Sequence, residues 1–207
     1  MKLMKIDIWS DFACPFCYIG KRNMENALKE YEGEVEIEYH SFQLDPNAKR
    51  SHTKPSESLA QKYGTSEEEG QKMIDRVVDM AKAIGLNYNY DDLIENNTLK
   101  AHKLLQYSKE EGKDQEIKEE VFKAHFIEGK DIGDEEVLVE IGKSAGLDEE
   151  KSKDALNSEV FESKVSMDRY AAQQLEITSV PFFIIDNKKA IQGAQPKEAF
   201  LKVFNED

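Results

Sequence analysis

Apolar and polar residues alternate through Leu3–Trp9 and more cleanly through Val35–Phe42, where Val35, Ile37 and Tyr39 share one side. A period of two marks a half-buried strand. Between these segments, PFCYIGKRNMENALKEYEG reads as a helix: Pro15 suits the first helical position, and Gly33 follows the last polar turn as a stop. Strand, helix and strand in this order predict a βαβ unit with parallel strands, because a crossover helix lets neighbouring strands run the same way.

For roughly 130 residues the apolar period is then helical. Met73, Ile74, Val77, Val78, Ala81 and Ile84 form one stripe, and Leu99, Leu104 and Leu105 belong to a second helix. Ile117, Val121, Phe122 and Phe126 make a third, and Val137, Leu138 and Ile141 a fourth. Ala155, Leu156, Val160 and Phe161 begin another, while Ala171, Ala172 and Leu175 lie on the last. Such stripes are core-facing helix surfaces. In YGTSEEEG and IEGKDIGDEE, Ser66 and Asp134 are the predicted N-caps.

Strand character returns at Val180–Asp186, followed by a turn at Asn187–Lys188 and an antiparallel partner in KAIQG. A helix begun at Pro196 closes the chain, with Phe200, Leu201 and Phe204 on one face. The expected class is α/β: a discontinuous sheet domain of residues 1–55 and 165–207, and a large all-helical insertion at 56–164.

Composition adds limits. With 39% hydrophobic and 34% charged residues in a chain of 207, the sequence has the makings of a packed globular core and not of a disordered tract. No apolar run approaches the roughly 20 residues of a membrane-spanning helix. The start, MKLMKIDIWSDF, is interrupted by Asp7 and Asp11 before any leader-length apolar region, so a cytoplasmic location is expected. A formal charge of −14, spread along the chain, disfavours nucleic-acid backbones and anionic membrane surfaces as partners.

The two cysteines stand in DFACPFCYIGKR, Cys14 just before the predicted helix and Cys17 one turn inside it. Unsatisfied N–H groups and the positive dipole end at a helix start favour the thiolate of Cys14, while Cys17, beside Tyr18 and Ile19, is expected to be less accessible. That asymmetry suits an attacking thiol and a resolving one. A zinc site is the competing use of CxxC, but there is no second CxxC, and His40, His52, His102 and His125 lack H-x₃₋₅-H spacing. Two inert core cysteines are a further alternative. No metal is therefore expected. A CxxC at a strand-to-helix junction inside a βαβ unit is the thioredoxin-like redox pattern.

CPFC on the first helix, TSVP leading into a late strand, and a long helical insertion resemble the DsbA-type branch of the thioredoxin superfamily. WSDFACPFCYIGK, NTLKAHKLL, FKAHFIEGKDI and VPFFIIDNKKAIQGAQP most resemble its FrnE-like group of cytoplasmic proteins, over nearly the whole chain. The resemblance implies a thioredoxin-like βαβ–(α)ββα domain and a cis Val180–Pro181 bond opposite Cys14. It also implies substrate contacts from Pro15, Phe16, Val180 and Pro181. The Val180 backbone would pair with an extended substrate strand, while Pro181, lacking an N–H, keeps the thiols free. Phe16 departs from the pattern: the group often has tryptophan there and the periplasmic oxidants histidine, which implies a less oxidising pair than that of DsbA.

The function expected is thiol–disulfide exchange on disulfide- or thiol-containing proteins or small thiols, with no cofactor beyond the cysteine pair and with glutathione as a possible co-substrate. Two readings compete. One is a glutathione-dependent transferase or isomerase of the kappa and hydroxychromene carboxylate type, which share the insertion but typically carry serine where Cys14 stands. The other is a peptide-binding or chaperone module with incidental thiols. Asp7 is expected to face water near an edge; the alternative is that it accepts the Cys17 proton. His40 and His125 are expected to be hydrogen-bonded packing residues, and Trp9 and Phe12 to be either an apolar rim or core.

Overall fold

The computed structural model describes residues 3–206. In chain order the elements are β1 (Met4–Ser10), α1 (Pro15–Leu28), β2 (Val35–Ser41), α2 (Pro55–Tyr63), α3 (Glu67–Ala83), α4 (Leu99–Glu110) and α5 (Asp114–Phe126). They continue with α6 (Glu135–Ser144), α7 (Glu149–Asn157), α8 (Glu159–Gln174), β3 (Phe182–Ile185), β4 (Lys189–Gln192) and α9 (Lys197–Phe204). Two compact units result: one from the described residues up to Leu44 and from Val165 on, the other from Asp45–Lys164.

In the first unit the strands form one sheet in the order β2-β1-β3-β4. β1 and β2 run parallel, joined through α1, and β3 lies antiparallel to both β1 and β4. The register puts Ile8 beside Tyr39 and Phe183 on one face, and Trp9 beside His40 on the other. Ile6, Ile8, Tyr39, Phe183, Ile185 and Ile191 are buried, and Phe183 meets Phe200 of α9 edge to face at 4.9 Å. α1 packs so closely that a Cβ on Gly20 would lie 2.9 Å from Pro181 Cγ and 3.2 Å from Phe183 Cζ. Glycine is what permits that approach. The β3–β4 turn sits one residue earlier than expected, at Asp186–Asn187, both at positive φ (52° and 56°). Asp and Asn tolerate that backbone best after glycine, and Asp186 Oδ1 also accepts the Lys5 N–H at 2.9 Å.

The second unit is helical. Its core takes in Ile74, Leu104, Leu105, Ile117, Val121, Phe122, Phe126, Leu138 and Leu156, with Tyr88 stacked on Phe126 at 4.9 Å. Ser66 Oγ accepts from Glu69 N, and Asp134 Oδ1 from Glu136 N and Val137 N, so both expected caps form. The segment after Leu44, expected with the sheet up to residue 55, groups with the helices. Asn97 Nδ2 donates to Pro46 O and Ala48 O, Ser51 N to Glu95 O, and Arg50 Nε lies 2.9 Å from Asp131. α2 escaped the apolar pattern because it buries only Ser56 and Ala60; its partner α3 comes close enough that a Cβ on Gly70 would meet Ser56 O at 2.2 Å.

One expected grouping is different. Ala155 and Leu156 end α7, whereas Val160 and Phe161 open α8, the long helix that also carries Ala171 and Ala172. Ser158, in extended conformation, separates the two, and its Oγ accepts the Val160 N–H at 3.2 Å. Val160 and Leu175, expected on apolar stripes, are 64% and 51% exposed. No helix among the described residues is long and apolar enough to cross a membrane.

Candidate functional site

Cys14 is the N-cap of α1, in extended conformation, and Pro15 supplies the first helical residue. The turn ahead of it is held by Asp11, 1% exposed, whose carboxylate accepts the N–H groups of Leu44 (2.7 Å) and Ala13 (3.4 Å). Cys14 N donates to Asp11 O and Cys17 N to Cys14 O, at 3.2 and 3.0 Å. No acidic side chain stands in the first turn of α1, so nothing there offsets the positive helix end. The asymmetry between the cysteines lies in their place on the helix more than in exposure, since Cys14 is 4% and Cys17 2% accessible. Both carry thiols in the structure.

The opposite wall comes from the segment before β3. The Val180–Pro181 peptide is cis, and the Cys14 thiol donates to Val180 O at 3.6 Å. Val180 and Pro181 are buried, Pro15 is half-buried, and Phe16 is 39% exposed. Cys14, Val180 and Pro181 therefore converge, although 166 positions separate Cys14 from Val180. Trp9 and Phe12, at 4% and 0% exposure, are core and not rim. His125 is buried, its ring edge-on to Phe126 at 4.6 Å.

Asp7 does not face water. β1 is flanked by β2 and β3, which places Asp7 inside at 6% exposure, and a charge there needs partners. His40 Nε2 lies 2.8 Å from Asp7 Oδ1, and His40 Nδ1 lies 3.1 Å from Asp168 Oδ1 of α8. Carboxylates accept hydrogen bonds when ionised, so the cationic form of this ring can donate to one at each nitrogen. Burial works against that cation, yet its hydrogen bonds to Asp168 and Asp7 and the charges of Asp168 and Glu38 outweigh it and raise the His40 pKa. Trp9 stacks on the ring at 4.2 Å and donates its Nε1–H to Asp168 O at 3.3 Å. Asp7, Glu38 and His40 also present ligand-type atoms within 4.8 Å of one another. The Lys5 ammonium lies against two of the three, 2.8 Å from Glu38 and 3.3 Å from Asp7, and supplies positive charge itself.

Sequence reasoning passed over Asp11 and Asp168. Asp11 had a local signal, an Asx-type turn leading into a helix. Asp168 had none: it stands mid-helix, 127 positions from the Ser41 N–H that it accepts at 2.7 Å.

A parallel βαβ start, an antiparallel hairpin end, a helical insertion and a cysteine at the first helix opposite Val180–Pro181 define a thioredoxin-like fold. The chain belongs to the DSBA-like thioredoxin domain family, whose model matches residues 5–205. It is similar to the uncharacterized protein YwbO of Bacillus subtilis, at 30% identity over 204 residues, covering 98% of this chain and 96% of that protein. Among solved structures, a probable DsbA oxidoreductase from Streptomyces coelicolor superposes with a TM-score of 0.92 at 35% identity, covering 97% of this chain and 88% of that one. The cytosolic disulfide reductase DsbM from Pseudomonas aeruginosa, with GSH, shares the fold at a TM-score of 0.66 and 17% identity, over 96% and 98% of the two chains. The family match and the 35%-identical neighbour described as a probable DsbA oxidoreductase together point to a DsbA-type enzyme class.

Proposed function

We propose that the protein is a thiol–disulfide oxidoreductase of the FrnE-like kind, working in the cytoplasm through Cys14 and Cys17. The observation that carries the reading is the Cys14 thiol at the N-terminus of α1, 3.6 Å from Val180 O. Cys14, as thiolate, attacks one sulfur of a substrate disulfide. That S–S bond breaks, a mixed disulfide to Cys14 forms, and the departing sulfur leaves as a thiolate that takes a proton. The Cys17 thiolate then attacks Cys14 Sγ, expelling the remaining substrate thiol. The protein keeps the Cys14–Cys17 disulfide, and two electrons have passed to the substrate. Run backwards, the same steps oxidise a dithiol.

An extended substrate would lie along Val180, with Pro181 offering no N–H to compete and with Pro15 and the exposed Phe16 flanking the sulfur. Partners of this chemistry are disulfide- or thiol-bearing proteins and small thiols, glutathione among them, and the pair needs no prosthetic group. A cytosolic disulfide reductase, DsbM, which shares the fold and was solved with GSH, supports small thiols as partners.

The test pairs Cys14→Ser with Cys17→Ser against a disulfide-bonded peptide. Cys17→Ser is expected to accumulate a mixed disulfide visible by mass, and Cys14→Ser to form none. Exchange by Cys14→Ser at the wild-type rate would overturn the proposal.

A further inference from the structure

A groove of about 470 Å³ in the first unit is not used by the chemistry above. Small-ligand sites span roughly 300–1,000 Å³. One wall is the α8 face bearing Ser166, Arg169, Tyr170 and Gln173, residues three and four apart and so side by side on a helix. Phe42 and Gln43, just after β2, form the other, and Glu176, Ile177 and Thr178 complete it beyond the helix end.

Two routes lead from the groove to Cys14. Thr178 stands two residues from Val180, whose carbonyl takes the Cys14 thiol hydrogen bond; two extended residues reach about 7 Å. Gln43 precedes Leu44, whose N–H is bound by Asp11 in the turn that presents Cys14. A small molecule with its sulfur at Cys14 thus meets the Thr178 edge of the groove across about 7 Å beyond Val180, the span of about two extended residues.

The charges in the groove come as a pair. Arg169 and Glu176 both line it, and among the described residues neither has an ion-pair partner. Glu176 is held at φ 55°, a backbone that helix ends ordinarily give to glycine, so its carboxylate is retained against a conformational cost. A guanidinium grips a carboxylate in a fork, and a carboxylate accepts from an ammonium. One ligand group carries both charges on a single carbon: the free α-amino-acid head.

We propose that this groove is a subsite for low-molecular-weight thiols and disulfides that carry a free α-amino-acid group, such as the γ-glutamyl end of glutathione. Arg169 takes the carboxylate, Glu176 the ammonium, and Gln43, Gln173 and Thr178 offer hydrogen bonds to the linking amide. The inference rests on Cys14 being the attacking thiol, and adds a determinant of which small substrate is preferred.

Single-turnover rates of reduced protein test it, with glutathione disulfide as the charged probe and bis(2-hydroxyethyl) disulfide as the neutral one. Each reaction converts one disulfide to two thiols and leaves the protein oxidised, so no external reductant enters. The ratio of the charged to the neutral rate constant is expected to fall about tenfold in Arg169→Gln and several-fold in Glu176→Gln, because a charge-assisted hydrogen bond is lost in each. In Lys153→Gln, which removes one positive charge far along the chain in α7, the ratio is expected to match wild type. An unaltered ratio in Arg169→Gln overturns the subsite. Calorimetric binding of S-methylglutathione, which cannot exchange, separates the two readings. Affinity about tenfold weaker in Arg169→Gln upholds the subsite even if wild-type protein reacts with neither disulfide, a result that would overturn the thiol-exchange reading alone. Equal affinity in wild type and Arg169→Gln overturns the subsite whatever the rates.

Discussion

Asp168→Ala removes the carboxylate that accepts from His40 and from the end of β2, while the main-chain carbonyl that accepts from Trp9 is kept. Two hydrogen bonds to a charged acceptor are lost: from Ser41 N at 2.7 Å and from His40 Nδ1 at 3.1 Å. Ser41 is fully buried, so water cannot readily replace the acceptor that its N–H loses. Bonds to charged groups contribute about 1.5–3 kcal/mol each, and the Asp168 side chain is only 15% exposed. Against this stands the better helix propensity of alanine, about 0.5 kcal/mol. A net loss of about 3 kcal/mol at pH 6 follows, or about 6–12 °C in Tm for a chain of this size.

Trp9 is the single tryptophan and stacks on His40, so its fluorescence during urea unfolding reads this site directly. The loss is also pH-dependent. His40 is held above its unfolded value of about 6.5, so its share of stability is complete below that pH and is lost as pH rises through the folded pKa. The difference between wild type and Asp168→Ala is therefore expected to shrink from pH 6 to pH 9, leaving mainly the Ser41 contribution. Asp168→Asn, which can still accept from Ser41, is expected to lose about half as much. A loss below about 1 kcal/mol at pH 6, or the same loss at pH 6 and pH 9, would mean that Asp168 does not hold His40 and Ser41 in this way.

Gly20→Ala places a methyl 2.9 Å from Pro181 Cγ and is expected to destabilise by about 1–3 kcal/mol in urea melts, with slower thiol exchange as the Pro181 wall shifts. Leu104→Ala, at a fully buried site in the helical unit, is expected to cost about 3 kcal/mol by far-UV circular dichroism melts. Glu176→Gly relieves a backbone at φ 55°; after glycine's own entropy cost, a gain of about 0.5–1 kcal/mol in urea stability is expected, together with weaker S-methylglutathione binding. Asp134→Ala deletes the cap that accepts from Glu136 N and Val137 N and is expected to cost about 1 kcal/mol in thermal melts.

The sequence by itself determined what is local. Alternation at Val35–Phe42, the proline and glycine signals around α1 and the turn before KAIQG are properties of neighbouring residues, and they led to the parallel start and the antiparallel end of the sheet. The placing of Cys14 at a helix start followed from Pro15 alone, since a ring without an N–H belongs in the first turn. The helical stripes were legible for the same reason, except where α2 buries too little to show a period and where Ser158 breaks α7 from α8 without a proline or glycine to mark it.

Tertiary structure decided what depends on partners far apart in the chain. Asp7 looked water-facing because a lone carboxylate in a strand normally is. The flanking of β1 by β2 and β3 buries it, and the arrival of His40, itself held by Asp168, joins Lys5 in making that burial tolerable. Trp9 and Phe12 became core because the elements that cover them come from elsewhere in the sequence. The groove holding Arg169 and Glu176 exists only where α8 ends beside the residues after β2, a juxtaposition that no period, cap or turn signal encodes.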